Sequence, residues 1–195
     1  MKKKKRIPTN ASKSPLPELA VFHRQRLSSY TRDLLEELIG TALPRCVEIA
    51  RPKSPLRTIR QIEISVLGLR PMAKLHRDFL GIPGPTDVIT FPYGEIAICA
   101  AVARDRAPEF GNSLTTELAL YAIHGLLHLA GYNDLTRRDA SRMARLQQNI
   151  LTSASGKTAK PQSARRNPSA DRPPATRPTR DPARDSRSRA SRKSP

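Results

Sequence analysis

An α+β fold, a small mixed sheet of about four strands packed with helices, is the class this sequence predicts. Three observations predict it. Along residues 18–152 the hydrophobic pattern switches between a period of two and a helical period. The apolar runs are short and punctuated by glycine and proline. The strand-like and helical runs come in mixed order, without strict β-α-β alternation.

Each element has its own signal. In ELAVFHR, Leu19, Val21 and His23 suit a short strand. Residues 27–43 put Leu27, Tyr30, Leu34, Leu38 and Ile39 on one side of a helix. QIEISVLG alternates Ile62, Ile64 and Val66 with polar neighbours, a half-buried strand. Pro71, read as the first helical residue, opens a short helix with Met72, Leu75 and Phe79 inward. GIPGP is a turn. DVITFP and EIAICAAVA read as two strands joined in a tight hairpin by Tyr93 and Gly94. Residues 113–130 and 136–151 are helical.

Charge divides the chain of 195 residues into three. Residues 1–17 carry a net +6, residues 18–152 a net +3 and residues 153–195 a net +9. The reading is a basic disordered N-terminal arm (1–17), a folded domain (18–152) and a disordered basic tail rich in proline and arginine (153–195). The tail has seven prolines and no aliphatic residue larger than alanine, too little to offset the entropy of ordering it. It is either a solubilising tail or a sequence-nonspecific polyanion-binding arm that gains affinity by displacing counterions. The basic start lacks the apolar run of a signal peptide, and no stretch approaches the length of a transmembrane helix. Cys46 and Cys99 sit in contexts typical of core thiols, and the expected address is the cytoplasm.

The chemistry concentrates in TELALYAIHGLLHLAGYNDLT, residues 116–136. His124 and His128 stand four apart in a helical pattern, so both imidazoles leave one face a turn apart. Gly131 falls where a helix takes a left-handed residue, and Asp134 lies beyond that turn. His124, His128 and Asp134 are therefore the expected ligands of one zinc ion per chain. Two histidines and a carboxylate leave a position for water, as in catalytic zinc sites. Asp134 has a second reading as a helix cap, which Thr136 and Asp139 make unnecessary by forming a capping box of their own. Glu117 continues the face of Tyr121, His124 and His128; it either orients a ligand or water from behind, or complements the helix N-terminus. Gly125 occupies the place that zinc proteases of the H-E-x-x-H kind give to their general base, which disfavours a protease.

HGLLHLAGYND resembles the H-G-x-L-H-L-x-G-Y-D-H signature of the YbeY family of metal-dependent endoribonucleases. TDVITFP resembles that family's T-D-V-L-S-F-P, YGEIAIC resembles its G-D-I-x-I segment, and Glu117 matches its glutamate seven before the first histidine. The resemblance spans roughly residues 60–150. It implies a zinc-dependent endoribonuclease specific for single strands, acting in 16S rRNA 3′-end maturation and ribosome quality control. The implied partners are single-stranded RNA, the 16S precursor and the small subunit, with no membrane and no DNA. Carried over by position, the third ligand is Asp134 where the family has histidine, and Asn133 replaces an acid. An arginine of the family falls on Leu80, which cannot hold a phosphate; Arg77, one turn earlier, and Arg70 are the substitutes, each equally readable as a solvated surface charge. His76 falls where the family has asparagine. Four tyrosines and four phenylalanines leave little for base stacking, so weak sequence selectivity is expected. Attack by water and attack by the RNA 2′-hydroxyl both stay open. So does a non-catalytic rRNA-binding factor with a structural zinc.

Overall fold

Alternating β-branched residues build the centre of the sheet. Ile62, Ile64 and Val66 on one strand and Ile96 and Ile98 on another put their side chains on one face, all essentially inaccessible to solvent. The computed structural model describes residues 16–156, and the arms assigned to residues 1–17 and 153–195 lie almost wholly outside them. The strands are β1 (Glu18–His23), β2 (Gln61–Leu67), β3 (Val88–Thr90) and β4 (Glu95–Cys99), in the order β1-β2-β4-β3. β1, β2 and β4 run parallel, and β3 joins β4 antiparallel at the edge. The sheet is mixed, as expected. Among the described residues there are five α-helices: α1 (Ser29–Ile49), α2 (Leu69–Leu80), α3 (Ala100–Arg106), α4 (Leu114–Leu129) and α5 (Arg137–Ala154). No helix among these residues is long and apolar enough to cross a membrane.

Alternation of the strand side chains gives the fold two cores. Ile62, Ile64, Val66, Ile96 and Ile98 pack under α1, α4 and α5. Ala97 and Cys99, pointing the other way, pack with Ile89 against Met72 of α2. Helices thus cover both faces, not one layer only, and α4 is so enclosed that most of its length is buried.

Several boundaries differ from the expectation, each for a physical reason. α1 does not stop at residue 43 but runs through Pro44 to Ile49. The buried stripe of Leu35, Leu38, Ile39, Ala42, Leu43, Cys46 and Val47 continues past the proline, and Gly40, whose carbonyl loses a donor, is exposed to water. Tyr30, expected inward, is 74% exposed. It stands five residues from Leu35, about 140° around the helix from the buried face. α2 begins at Leu69 after Gly68, so Pro71 lies in its first turn, where its missing N–H costs nothing. Phe79 is 60% exposed rather than inward, its ring meeting Phe91 edge-on at 5.0 Å. EIAICAAVA is half strand and half helix. The last ladder bond is Cys99 N to Asp87 O at 2.9 Å, and then Ala100 and Ala103 bury one face of α3. Alanine fits both periods, so the pattern there could not distinguish them. α5 extends to Ala154, two residues into the stretch read as tail.

Candidate metal centre

The site is built by the end of α4 and the turn after it. α4 closes with paired bonds, Gly131 N to His128 O at 2.9 Å and Tyr132 N to Leu127 O at 3.0 Å, the Schellman arrangement. Gly131 has φ +88°, which L side chains rarely adopt. The reversed chain is fastened to α1: Tyr132 is buried, its hydroxyl donates to Ile49 O at 3.0 Å, and Arg51 N donates to Ala130 O at 3.0 Å. Thr136 caps α5 by accepting from Asp139 N at 3.1 Å, so the capping task does not fall to Asp134.

This turn brings together the three residues expected to converge. One donor atom each of His124, His128 and Asp134 lies within 4.8 Å of the others, and the group contains no fourth such residue among those described. The two histidine Nε2 atoms are 3.0 Å apart, and His124 Nε2 is 3.8 Å from Asp134 Oδ2. Ligands at about 2.0–2.1 Å in a tetrahedron are roughly 3.3 Å apart, and the separations of 3.0 and 3.8 Å lie within about half an ångström of that spacing.

The far nitrogens decide the tautomers. His128 Nδ1 donates to Tyr132 O at 3.1 Å, and His124 Nδ1 donates to Gln147 Oε1 at 3.3 Å. Gln147 is itself oriented, because its Nε2 donates to Leu120 O at 3.0 Å, which turns Oε1 toward the histidine. With both Nδ1 atoms protonated, both Nε2 lone pairs face each other and the Asp134 carboxylate. Burial, followed by the neighbouring His124, holds the His128 pKa below its ordinary value and keeps that ring neutral. Two neutral imidazole lone pairs and a carboxylate converging in this way suit a divalent cation. The residues fit a metal.

Residues 23–155 match the model of the family described as "Endoribonuclease YbeY". The chain belongs to the YbeY family. Relatives named "Endoribonuclease YbeY" include one from Saccharopolyspora erythraea, 33% identical over 130 residues, covering 55% of this chain and 71% of the relative. Another, from Renibacterium salmoninarum, is 33% identical over 140 residues and covers 63% of this chain and 89% of the relative. A solution structure from Thermotoga maritima is 26% identical, with a TM-score of 0.45 over 71% of this chain and 89% of that one.

The other expected residues are not members of this group of three donors. Glu117 is 1% exposed in the first turn of α4, accepting from Asn112 Nδ2 at 2.7 Å and from the Tyr121 hydroxyl. The burial of Tyr121, reinforced by the Glu117 charge, raises the tyrosine's pKa. Arg70 and Arg77 are exposed on α2, across the sheet from α4, and Arg77 contacts Asp78 at 3.5 Å. Leu80 is 56% exposed. His76 is buried, its Nδ1 2.8 Å from Gly84 O, where it pins the loop after α2. Three members of the site escaped sequence reasoning. Gln147 comes from α5 and the Tyr132 hydroxyl reaches α1, contacts that no local spacing announces, while the Tyr132 carbonyl acts within the turn itself.

Gly125 has a steric reason as well as a chemical one. A Cβ there would lie 2.7 Å from Ile96 Cγ2 and 2.9 Å from Thr90 Oγ1. The residue after the first histidine faces the sheet at closest approach, so a glutamate base has no room there.

Proposed function

We propose that this chain is a zinc-dependent endoribonuclease specific for single-stranded RNA, acting in 16S rRNA 3′-end maturation and ribosome quality control. The observation that carries the reading is the pair of Nε2 atoms 3.0 Å apart, backed by Nδ1 donors, in a chain of the YbeY family. His124, His128 and Asp134 would hold a single zinc ion, whose chemistry when bound is to acidify a water and polarise a phosphoryl oxygen. Three protein donors leave the fourth position open, as catalytic zinc sites do and structural ones do not. This favours the enzyme over an rRNA-binding factor with a structural zinc.

The chain's own groups do the positioning. Gln147 and the Tyr132 carbonyl hold the imidazoles in one tautomer, so no change of tautomer accompanies loading of the site. Asp134 adds a negative charge where the family places a neutral imidazole, which tempers the acidity that the ion confers. Glu117, locked to Asn112 and Tyr121, supports the helix that carries both histidines. The basic segments 1–17 and 153–195 would attract RNA without regard to sequence. The small ribosomal subunit is the proposed partner and the cytoplasm the proposed address; both cysteines are buried free thiols, in keeping with a reducing compartment.

The test is incubation of the full chain with single-stranded and duplex RNA of the same sequence, with and without chelator. Cleavage of the single strand should stop with chelator, return with zinc, and be absent in His124→Ala and His128→Ala. Cleavage indifferent to chelator, or tight binding without cleavage, would overturn the reading.

A further inference from the structure

We propose that Arg51 and Arg142, both seated on the ring of Tyr132, form a clamp for the phosphodiester backbone of single-stranded RNA beside the metal centre. The inference rests on the endoribonuclease reading and names the surface that receives its substrate.

The geometry is specific. The guanidinium carbon of Arg51 lies 5.0 Å from the Tyr132 ring centroid and that of Arg142 lies 5.4 Å from it. One comes from the loop after α1 and the other from α5, so the tertiary fold brings two like charges to one ring. A guanidinium stacked on an aromatic ring keeps its edge N–H groups free to point outward, in the fork that matches a phosphate. Like charges gathered on one ring repel each other, and a phosphate bound by each of them relieves the repulsion.

The clamp is rigid where it counts. Tyr132 is buried and held by its hydroxyl on Ile49 O, its N–H on Leu127 O and its carbonyl on His128 Nδ1. It stands two residues before Asp134. The ring that carries both arginines is thus part of the turn that sets two of the three metal donors, and phosphate binding there fixes the strand relative to the ion.

The surroundings favour an anion. Arg138, Arg142 and Arg145 follow each other at i, i+4 and i+7 along α5, and Lys53 is exposed beside Arg51 in sequence. The nearby acids are engaged: Glu48 pairs with Arg45, Asp139 accepts from Thr136, and Asp134 faces His124. By contrast Arg77 sits on α2 against Asp78, and position 80 is a leucine. The phosphate grip that the resemblance places on α2 is supplied here by the loop after α1 and by α5.

The experiment compares the full-length, zinc-loaded protein with two charge-matched double variants, using fluorescence anisotropy of a labelled single-stranded RNA across salt concentrations. Arg51→Gln/Arg142→Gln should weaken binding on the order of tenfold, with a salt slope shallower by roughly 1.4, about 0.7 for each phosphate that is no longer neutralised. Arg26→Gln/Arg32→Gln, which removes the same charge elsewhere, should change both far less. Zinc content should match wild type in both. Equal losses in the two variants, or none in the first, overturn the clamp while leaving the endoribonuclease reading intact. If the wild-type protein neither binds nor cleaves single-stranded RNA, the clamp and that reading fall together.

Discussion

At the scale of single residues, the site works through groups that no metal would touch. Gln147 spends its two ends on His124 Nδ1 and Leu120 O, so it sets both the tautomer and the ring orientation. Replacing it with leucine keeps the volume but removes the acceptor. Zinc affinity should then fall roughly 10–100-fold with little change in circular dichroism; competition with a chromophoric chelator measures it, and unchanged affinity would show that the bond does not orient the ligand. Cys46 gives a pH-dependent counterpart in the core. Burial pushes its thiol from 9.0 up to about 12. The folded state holds the proton more tightly, so this contribution to stability is complete below pH 9 and is lost as the pH rises toward 12. Alkylation of Cys46 at pH 9 should therefore be slow in the native protein and fast in denaturant; equal rates would show that the thiol is not sequestered.

At the scale of elements, α4 is fixed by glycines at two different kinds of place. At Gly125 the sheet comes too close for any side chain, and Gly125→Ala should cost about 1–3 kcal/mol through overpacking against Ile96 and Thr90. At Gly131 the cost is conformational: φ +88° strains any L residue, and Gly131→Ala should destabilise by about 1 kcal/mol or more while displacing Asp134. Urea unfolding measures both, and a zinc titration should show the second variant losing affinity as well as stability. If either substitution is neutral, that glycine is not required as argued. The Gly131 turn was legible in the sequence because left-handed caps carry a sequence mark and a carboxylate followed at a fixed distance. The Gly125 constraint was not, since it depends on strands more than twenty residues away. The same distinction explains α1 and α3: tertiary packing carried one helix through Pro44, and alanine concealed the start of the other.

At the scale of the whole molecule, the sheet acts as a platform that presses α4 between α1 and α5, so both neighbours reach the end of α4. Ile49 and Arg51 fasten the turn from one side, while Gln147 and Arg142 reach the site from the other. Spacing along one segment was enough to bring out the three candidate donors that the fold gathers, because two are a helical turn apart and the third follows directly. The supporting groups come from elements distant in sequence, and only the assembled fold shows them. The central claim is that His124, His128 and Asp134 hold one divalent ion through both Nε2 atoms and a carboxylate. Metal analysis of the full chain purified without added ions, beside Asp134→Asn and His128→Ala, tests it most directly. The account predicts close to one zinc per wild-type chain, less in Asp134→Asn and almost none in His128→Ala; equal metal in all three proteins would contradict it.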